Sequence, residues 1–209
     1  MEQPVRIQIE AVTLEGTLGL PEQANGVVIF AHGSGSSRLS PRNTYVARVL
    51  QQAGMGTLLF DLLTTEEDRI YEHRFDIDLL ARRLVGATRW LMEHRELKGA
   101  SLGYFGSSTG AAAALRGASI MGAAVKAVVS RGGRPDLAIP CLDKVTAPTL
   151  LIVGELDLQV LQLNEQALTH IAVEKKLAVI PGATHLFEES GALQQVANLA
   201  QRWFIRHLS

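Results

Sequence analysis

Cysteine is almost absent. The one thiol, Cys141, has no partner for an internal disulfide, and a zinc module built on several cysteines is excluded. Charge of one sign is lacking too: 20 Lys and Arg against 21 Asp and Glu leave a net charge of −1. Binding to nucleic acid or to a membrane surface draws on a basic surplus, so neither is an expected partner. Aromatic residues are only 5% of the chain. No uninterrupted apolar run is long enough for a bilayer; the longest apolar region, Gly110 to Val129, contains Arg116 and Lys126. The opening Met1-Glu2-Gln3-Pro4-Val5-Arg6 carries an acid early and lacks a signal peptide's apolar stretch. The expectation is a soluble, cytoplasmic protein.

What is present is apolar and small. Hydrophobic residues make up 47% of the 209 and charged residues 20%, which supports one well-buried domain over 1–209. Two alternating stretches, Val5 to Ile9 and Val12 to Leu20, predict an antiparallel β pair with one exposed face. Then come apolar runs without alternation, the mark of strands covered on both faces. They are Val27 to Ala31, Thr57 to Phe60, Ser101 to Phe105, Ala127 to Ser130, Thr149 to Val153 and Lys176 to Ile180. Helical spacing separates them, at Tyr45 to Leu50, Ile77 to Leu91, Ala111 to Met121, Val160 to Ile171 and Gly191 to Leu208. Unbroken alternation of strand and helix predicts an α/β fold with a doubly wound, mostly parallel sheet.

In such sheets ligands bind at the carboxyl ends of the strands. One strand end reads Gly106-Ser107-Ser108-Thr109-Gly110, a G-x-S-x-G pattern between strand and helix. A sharp turn there lifts the Ser108 hydroxyl above the sheet, and the flanking glycines avoid clashes. Ser107 lacks such a pair. A serine needs a base, and His185 follows the last strand; His73, His94, His170 and His207 lie in or near helices among charges. His32, ending a buried strand, reads as a hydrogen-bonded structural histidine. The base needs an acid to orient it. Asp157 is the first candidate, Asp136 the rival, and Glu155 a third that two residues nearer the strand faces another way. His32-Gly33-Ser34-Gly35 supplies small residues for an oxyanion hole, with the amide of Thr109 as one donor and that of Ser34, or Gly35, as the other.

With these residues in place the sequence resembles the α/β-hydrolase superfamily, and within it the dienelactone hydrolase-like family. The resemblance covers nearly the whole chain. It rests on the N-terminal β pair, on residues 30–35 and 104–110, on Pro148 to Gly154 with Asp157, and on Pro181-Gly182-Ala183-Thr184-His185-Leu186-Phe187. It implies Ser108 as nucleophile, Asp157 as acid, His185 as base, and oxyanion amides from Ser34 and Thr109. Dienelactone hydrolase itself uses a cysteine nucleophile; serine stands there in this chain, which leaves acyl transfer intact but not the lactone substrate. Residues 130–136 and 184–189 resemble small bacterial hydrolases sometimes fused to phosphoribosyltransferase domains.

The expected activity is therefore hydrolysis of a small carboxylic ester, lactone or thioester through an acyl-enzyme, with no metal and no cofactor. Only Arg131 to Pro148 separates two strands where many hydrolases of this fold insert a helical cap, too short for a sizeable lid. Arg131, Arg134 and Arg38 lie near strand ends, where they could read an anionic substrate group; otherwise they pair with Asp136, Glu155 or backbone carbonyls. A binding protein without activity on the same fold is the alternative. A Rossmann oxidoreductase ranks lower, because Arg38 stands where its third glycine belongs. A phosphoribosyltransferase needs a pair of acids before Thr109-Gly110, where Ser107-Ser108 stand. No P-loop pattern occurs.

Overall fold

The computed structural model describes residues 2–22, 24–94, 97 and 99–208. Met1 of the opening stretch and Gln23 of the turn after the β pair lie outside these. All eight expected strands form: β1 (Glu2–Ile9), β2 (Val12–Gly19), β3 (Val27–Ala31), β4 (Gly56–Phe60), β5 (Leu102–Ser107), β6 (Val125–Arg131), β7 (Thr149–Gly154) and β8 (Lys175–Ile180). They make one sheet in the order β1-β2-β4-β3-β5-β6-β7-β8. β1 pairs with β2, and β2 with β4, antiparallel; all other pairings are parallel. The alternation in the first two strands buries Ile7, Ile9, Leu14 and Leu18 on one face. Residues of β3, β4, β5 and β7 are buried throughout, as their continuous apolar runs require.

β8 departs from the expectation of a strand covered on both faces. Lys175, Lys176 and Val179 are exposed and only Ile180 is buried, because β8 is an edge strand with β7 as its one neighbour. Lysines on such an edge oppose strand-to-strand aggregation.

Helices cover both faces. α1 (Pro41–Gln52) and α6 (Ala192–Leu208) pack on one side, against Val28, Phe30, Phe105 and Val129. On the other side α3 (Ile77–Met92), α4 (Thr109–Met121) and α5 (Leu158–His170) cover Ile29, Tyr104 and Val128. The fit is tight. A Cβ on Gly103 would lie 2.7 Å from the Phe204 ring, so glycine in β5 makes the socket for that α6 side chain. Truncating Phe204 to Ala would cost about 3–5 kcal/mol. One buried polar pair bridges α3 and β5: the Thr88 hydroxyl donates to the Leu84 carbonyl at 2.7 Å and accepts from the Tyr104 hydroxyl at 2.7 Å. Burial pushes the Tyr104 phenol above its ordinary 10.

Short elements also form where periodicity carries no signal. α2 (Thr65–Asp68) has a reciprocal cap, Thr64 with Glu67, whose T-x-x-E spacing is its sequence trace. Tyr71–Phe75 and Pro135–Lys144 are 3-10 segments. The second occupies most of the β6–β7 connection and packs against α4 and α5, so no cap domain is inserted there. Among the described residues no helix is long and apolar enough to cross a membrane.

Candidate active site

Ser108 joins β5 to α4 with φ 51° and ψ −124°, a conformation that costs a non-glycine residue about 1–3 kcal/mol. Hydrogen bonds hold it there. Its N–H donates to the Arg131 carbonyl at 3.3 Å, and its own carbonyl accepts from Ala111 and Arg134 N–H, both at 3.1 Å. The flanking glycines are a steric requirement: a Cβ on Gly106 would lie 2.4 Å from Ala111 Cα, and one on Gly110 would lie 2.2 Å from the Ala31 carbonyl oxygen. α4 therefore starts hard against the ends of β5 and β3. A Cβ on Gly33 would lie 3.0 Å from Ser108 Cβ, which places the loop after β3 alongside the serine.

Asp157 follows β7 at the head of α5, and His185 lies in the loop after β8. Their side chains meet, His185 Nδ1 to Asp157 Oδ2 at 2.6 Å. The aspartate is largely buried and the imidazole is 40% exposed. Phe187, buried at φ 57°, anchors the histidine loop in the core beneath α1 and α6. Gly132, just past β6, sits under that loop: a Cβ there would be 3.5 Å from His185 Cε1. The base thus lies over the strand next to the one that carries Ser108. The other two acids are occupied elsewhere. Asp136 accepts both Nε and Nη2 of Arg134 at 2.8 Å, and Glu155 accepts the Gly182 N–H at 2.7 Å.

The loop after β3 is tied down at three points. His32 Nε2 accepts the Leu62 N–H at 3.0 Å, so its proton is on Nδ1, which donates to the Gly33 carbonyl at 3.0 Å. Burial lowers its pKa from the usual 6.5, against the raising effect of that carbonyl and of Asp61 and Asp68. Arg38 donates its backbone N–H to Asp61 Oδ1 at 2.7 Å and its guanidinium to Oδ2. The Ser34 N–H donates to Thr109 Oγ1 at 2.9 Å. That amide, expected to face an oxyanion, is engaged by the side chain of Thr109, a residue expected to contribute only its backbone N–H. No sequence pattern marks this contact; it needs the two loops side by side.

The three arginines separate. Arg134 is paired with Asp136 and Arg38 with Asp61. Arg131 is 8% exposed, and its Nε and Nη1 are buried without a hydrogen-bond partner among the described residues. Burial, and then repulsion from Arg42, pushes its pKa down to about 10, so it is still cationic at neutral pH. Among the described residues no group of three His, Cys, Asp or Glu comes together as a metal site.

The sequence pattern of the dienelactone hydrolase family matches residues 14–206. The chain belongs to that family. Two Mycobacterium tuberculosis proteins named phosphoribosyl transferase are 55% identical over 207 residues. The match takes in 99% of this chain and 47% of theirs, so the chain spans about half the length of these curated relatives. Among solved structures, a dienelactone hydrolase from Anabaena variabilis is 55% identical with a TM-score of 0.97, over 100% of this chain and 99% of that one. An α/β hydrolase from a Penicillium species matches with a TM-score of 0.83 at 15% identity, over 100% and 99% of the two chains, and shares the fold. This family member is thus an α/β hydrolase in fold, with the N-terminal antiparallel pair and without a sizeable cap.

Proposed function

We propose that this dienelactone hydrolase family member is a serine hydrolase that cleaves small carboxylic esters, lactones or thioesters through an acyl-enzyme. The observation that carries the reading is the 2.6 Å contact from Asp157 to Nδ1 of His185. A carboxylate at Nδ1 keeps the proton there and leaves Nε2 free to accept one. In the first step Ser108 Oγ attacks the acyl carbonyl and its proton passes to His185 Nε2. The tetrahedral oxyanion is met by the Thr109 N–H and by the Ser34 N–H, which keeps Thr109 Oγ1 as one acceptor and takes the substrate oxygen as a second. The imidazolium, stabilised by Asp157, returns its proton to the leaving alkoxide or thiolate as the carbonyl–leaving group bond breaks. In the second step His185 takes a proton from water, the resulting hydroxide attacks the acyl-serine, and the proton returns to Ser108 as the carboxylic acid leaves.

The short β6–β7 connection leaves the strand ends without an inserted lid, which favours small or exposed esters. The transferase name of the curated relatives is not carried over, since Ser107 and Ser108 stand where a phosphoribosyltransferase needs its acid pair. The test is covalent labelling with a fluorophosphonate. Wild-type protein should be labelled and Ser108→Ala should fold normally and stay unlabelled. Equal labelling of the two would rule out Ser108 as nucleophile, and no labelling of either would favour a binding protein.

A further inference from the structure

Asn164 is a fully buried amide in α5, where the other buried residues are Val160 and Ala167. Its nitrogen donates to two carbonyls: that of Val160, one turn back, at 2.7 Å, and that of Gly133, in the loop after β6, at 3.0 Å. Both partners are acceptors, so the amide must turn its nitrogen towards them. An apolar side chain of similar size would avoid the cost of taking an amide out of water. What the amide adds is its grip on Gly133. That loop is the support of the nucleophile. A Cβ on Gly133 would lie 2.0 Å from Ser130 Oγ and 2.5 Å from Ala111 Cβ, so the chain passes hard against the first turn of α4. The next residue, Arg134, donates its N–H to the Ser108 carbonyl at 3.1 Å, one of the bonds that hold Ser108 at φ 51°. At its other end α5 begins at Asp157, the partner of His185. One helix thus carries the acid of the candidate triad and, about two turns on, the amide that fixes the loop beside the serine.

We propose that Asn164 is a positioning residue for the reaction, which rests on the hydrolase reading above: through the Gly133 carbonyl and the Arg134 N–H it keeps the strained Ser108 turn in register with the Asp157–His185 pair. It touches neither substrate nor reacting atoms. A strained backbone persists only while its surroundings hold it. Without the amide, residues 132–134 draw back, the Ser108 carbonyl loses its hold on Arg134, and Ser108 relaxes, carrying Oγ away from His185 Nε2. The loss falls on the steps that move a proton between Ser108 and His185, not on the binding of the ester.

The experiment compares Asn164→Leu, Asn164→Asp and Thr88→Val with wild type, at a temperature where circular dichroism shows each folded. Asn164→Leu should lower both kcat for p-nitrophenyl butyrate and the rate of fluorophosphonate labelling by about 10- to 100-fold, with KM within about twofold of wild type. Thr88→Val is the control for stability alone: it breaks a buried hydrogen bond between α3 and β5, so its Tm should fall while both rates stay within about twofold of wild type. Asn164→Asp supplies a pH profile. Burial raises that carboxyl above the ordinary carboxylate range; neutral it can donate to Gly133, and ionised it repels both carbonyls. Its kcat should therefore fall as the pH rises through that titration, where wild-type kcat does not. Wild-type rates in a folded Asn164→Leu, a loss carried wholly by KM, or an equal loss in Thr88→Val would overturn the proposal. If Asn164→Leu does not fold, a profile of wild-type shape in Asn164→Asp overturns it. Absence of labelling and of ester hydrolysis in the wild type would instead be a failure of the hydrolase reading.

Discussion

The Ser34 N–H and the Thr109 hydroxyl, 75 residues apart, are joined by a 2.9 Å hydrogen bond across the mouth of the candidate oxyanion hole. Thr109 thereby links the helix behind the nucleophile to the loop in front of it. A neutral hydrogen bond of this kind contributes about 1 kcal/mol, yet loop misplacement of about 1 Å can cost about 100-fold in rate. Thr109→Val should lower kcat by about 10- to 100-fold with a small loss of stability, and Thr109→Ser should restore most of it. A Thr109→Val enzyme with wild-type kcat would show that the bond does not position the loop.

Asp157 and His185 make a stronger claim on the rate. Asparagine at 157 keeps the shape but offers Nδ1 an amide that can reverse the imidazole's tautomer. Asp157→Asn should lower kcat by about 1,000- to 10,000-fold while the protein stays folded. Asp136→Asn should not share this loss, since Asp136 is held by Arg134 rather than by His185. Equal losses in the two variants would mean that the acid is wrongly assigned.

How far these features were legible follows from what each depends on. Unbroken apolar runs mark β3, β5 and β7 because a strand covered on both faces has no polar side to show. Ser108 and Asp157 stand out because each follows such a strand, and His185 because it follows the last strand in the order the resemblance implies. Strand order is not local information: nothing in Lys176 to Ile180 says that β8 is an edge. Nor does a sequence say which acid neutralises which arginine. Arg131, Arg134 and Arg38 look alike in the chain, and only packing gives two of them carboxylates and buries the third without one among the described residues. The Thr109–Ser34 bond escaped for the same reason.

Gly110 tests the steric account of the sharp turn. A methyl group there would sit 2.2 Å from the Ala31 carbonyl oxygen, so α4 would have to move away from β3. Gly110→Ala should cost about 3 kcal/mol or more, lowering Tm by about 10 °C. Gly122 is the contrast: it has φ +53° but nothing within 4 Å of a built Cβ. Gly122→Ala should cost less, about 1–3 kcal/mol, the strain of a side chain at φ 53° and ψ −130°. Thermal melts of the two variants decide, and similar losses would remove the clash as the reason for the glycine.

His32 gives the fold a pH dependence whose sign follows from its hydrogen bonds. Nε2 accepts the Leu62 N–H, so a second proton on the ring would set donor against donor in a buried site. Burial accordingly holds its pKa below the ordinary 6.5. Well above 6.5 the ring is neutral folded or unfolded and contributes no pH dependence. As the pH falls below 6.5, the unfolded chain takes up a proton that the folded chain refuses, and stability is lost until the folded pKa is passed. His207, also lowered by burial despite the opposing effect of Glu174, adds a slope of the same sign, so the comparison must be with a variant. His32→Gln keeps an acceptor for Leu62 and removes the titration. Between about pH 7 and pH 5 the wild-type Tm should fall more steeply than that of His32→Gln. Parallel curves would mean that His32 does not titrate differently in the folded and unfolded states.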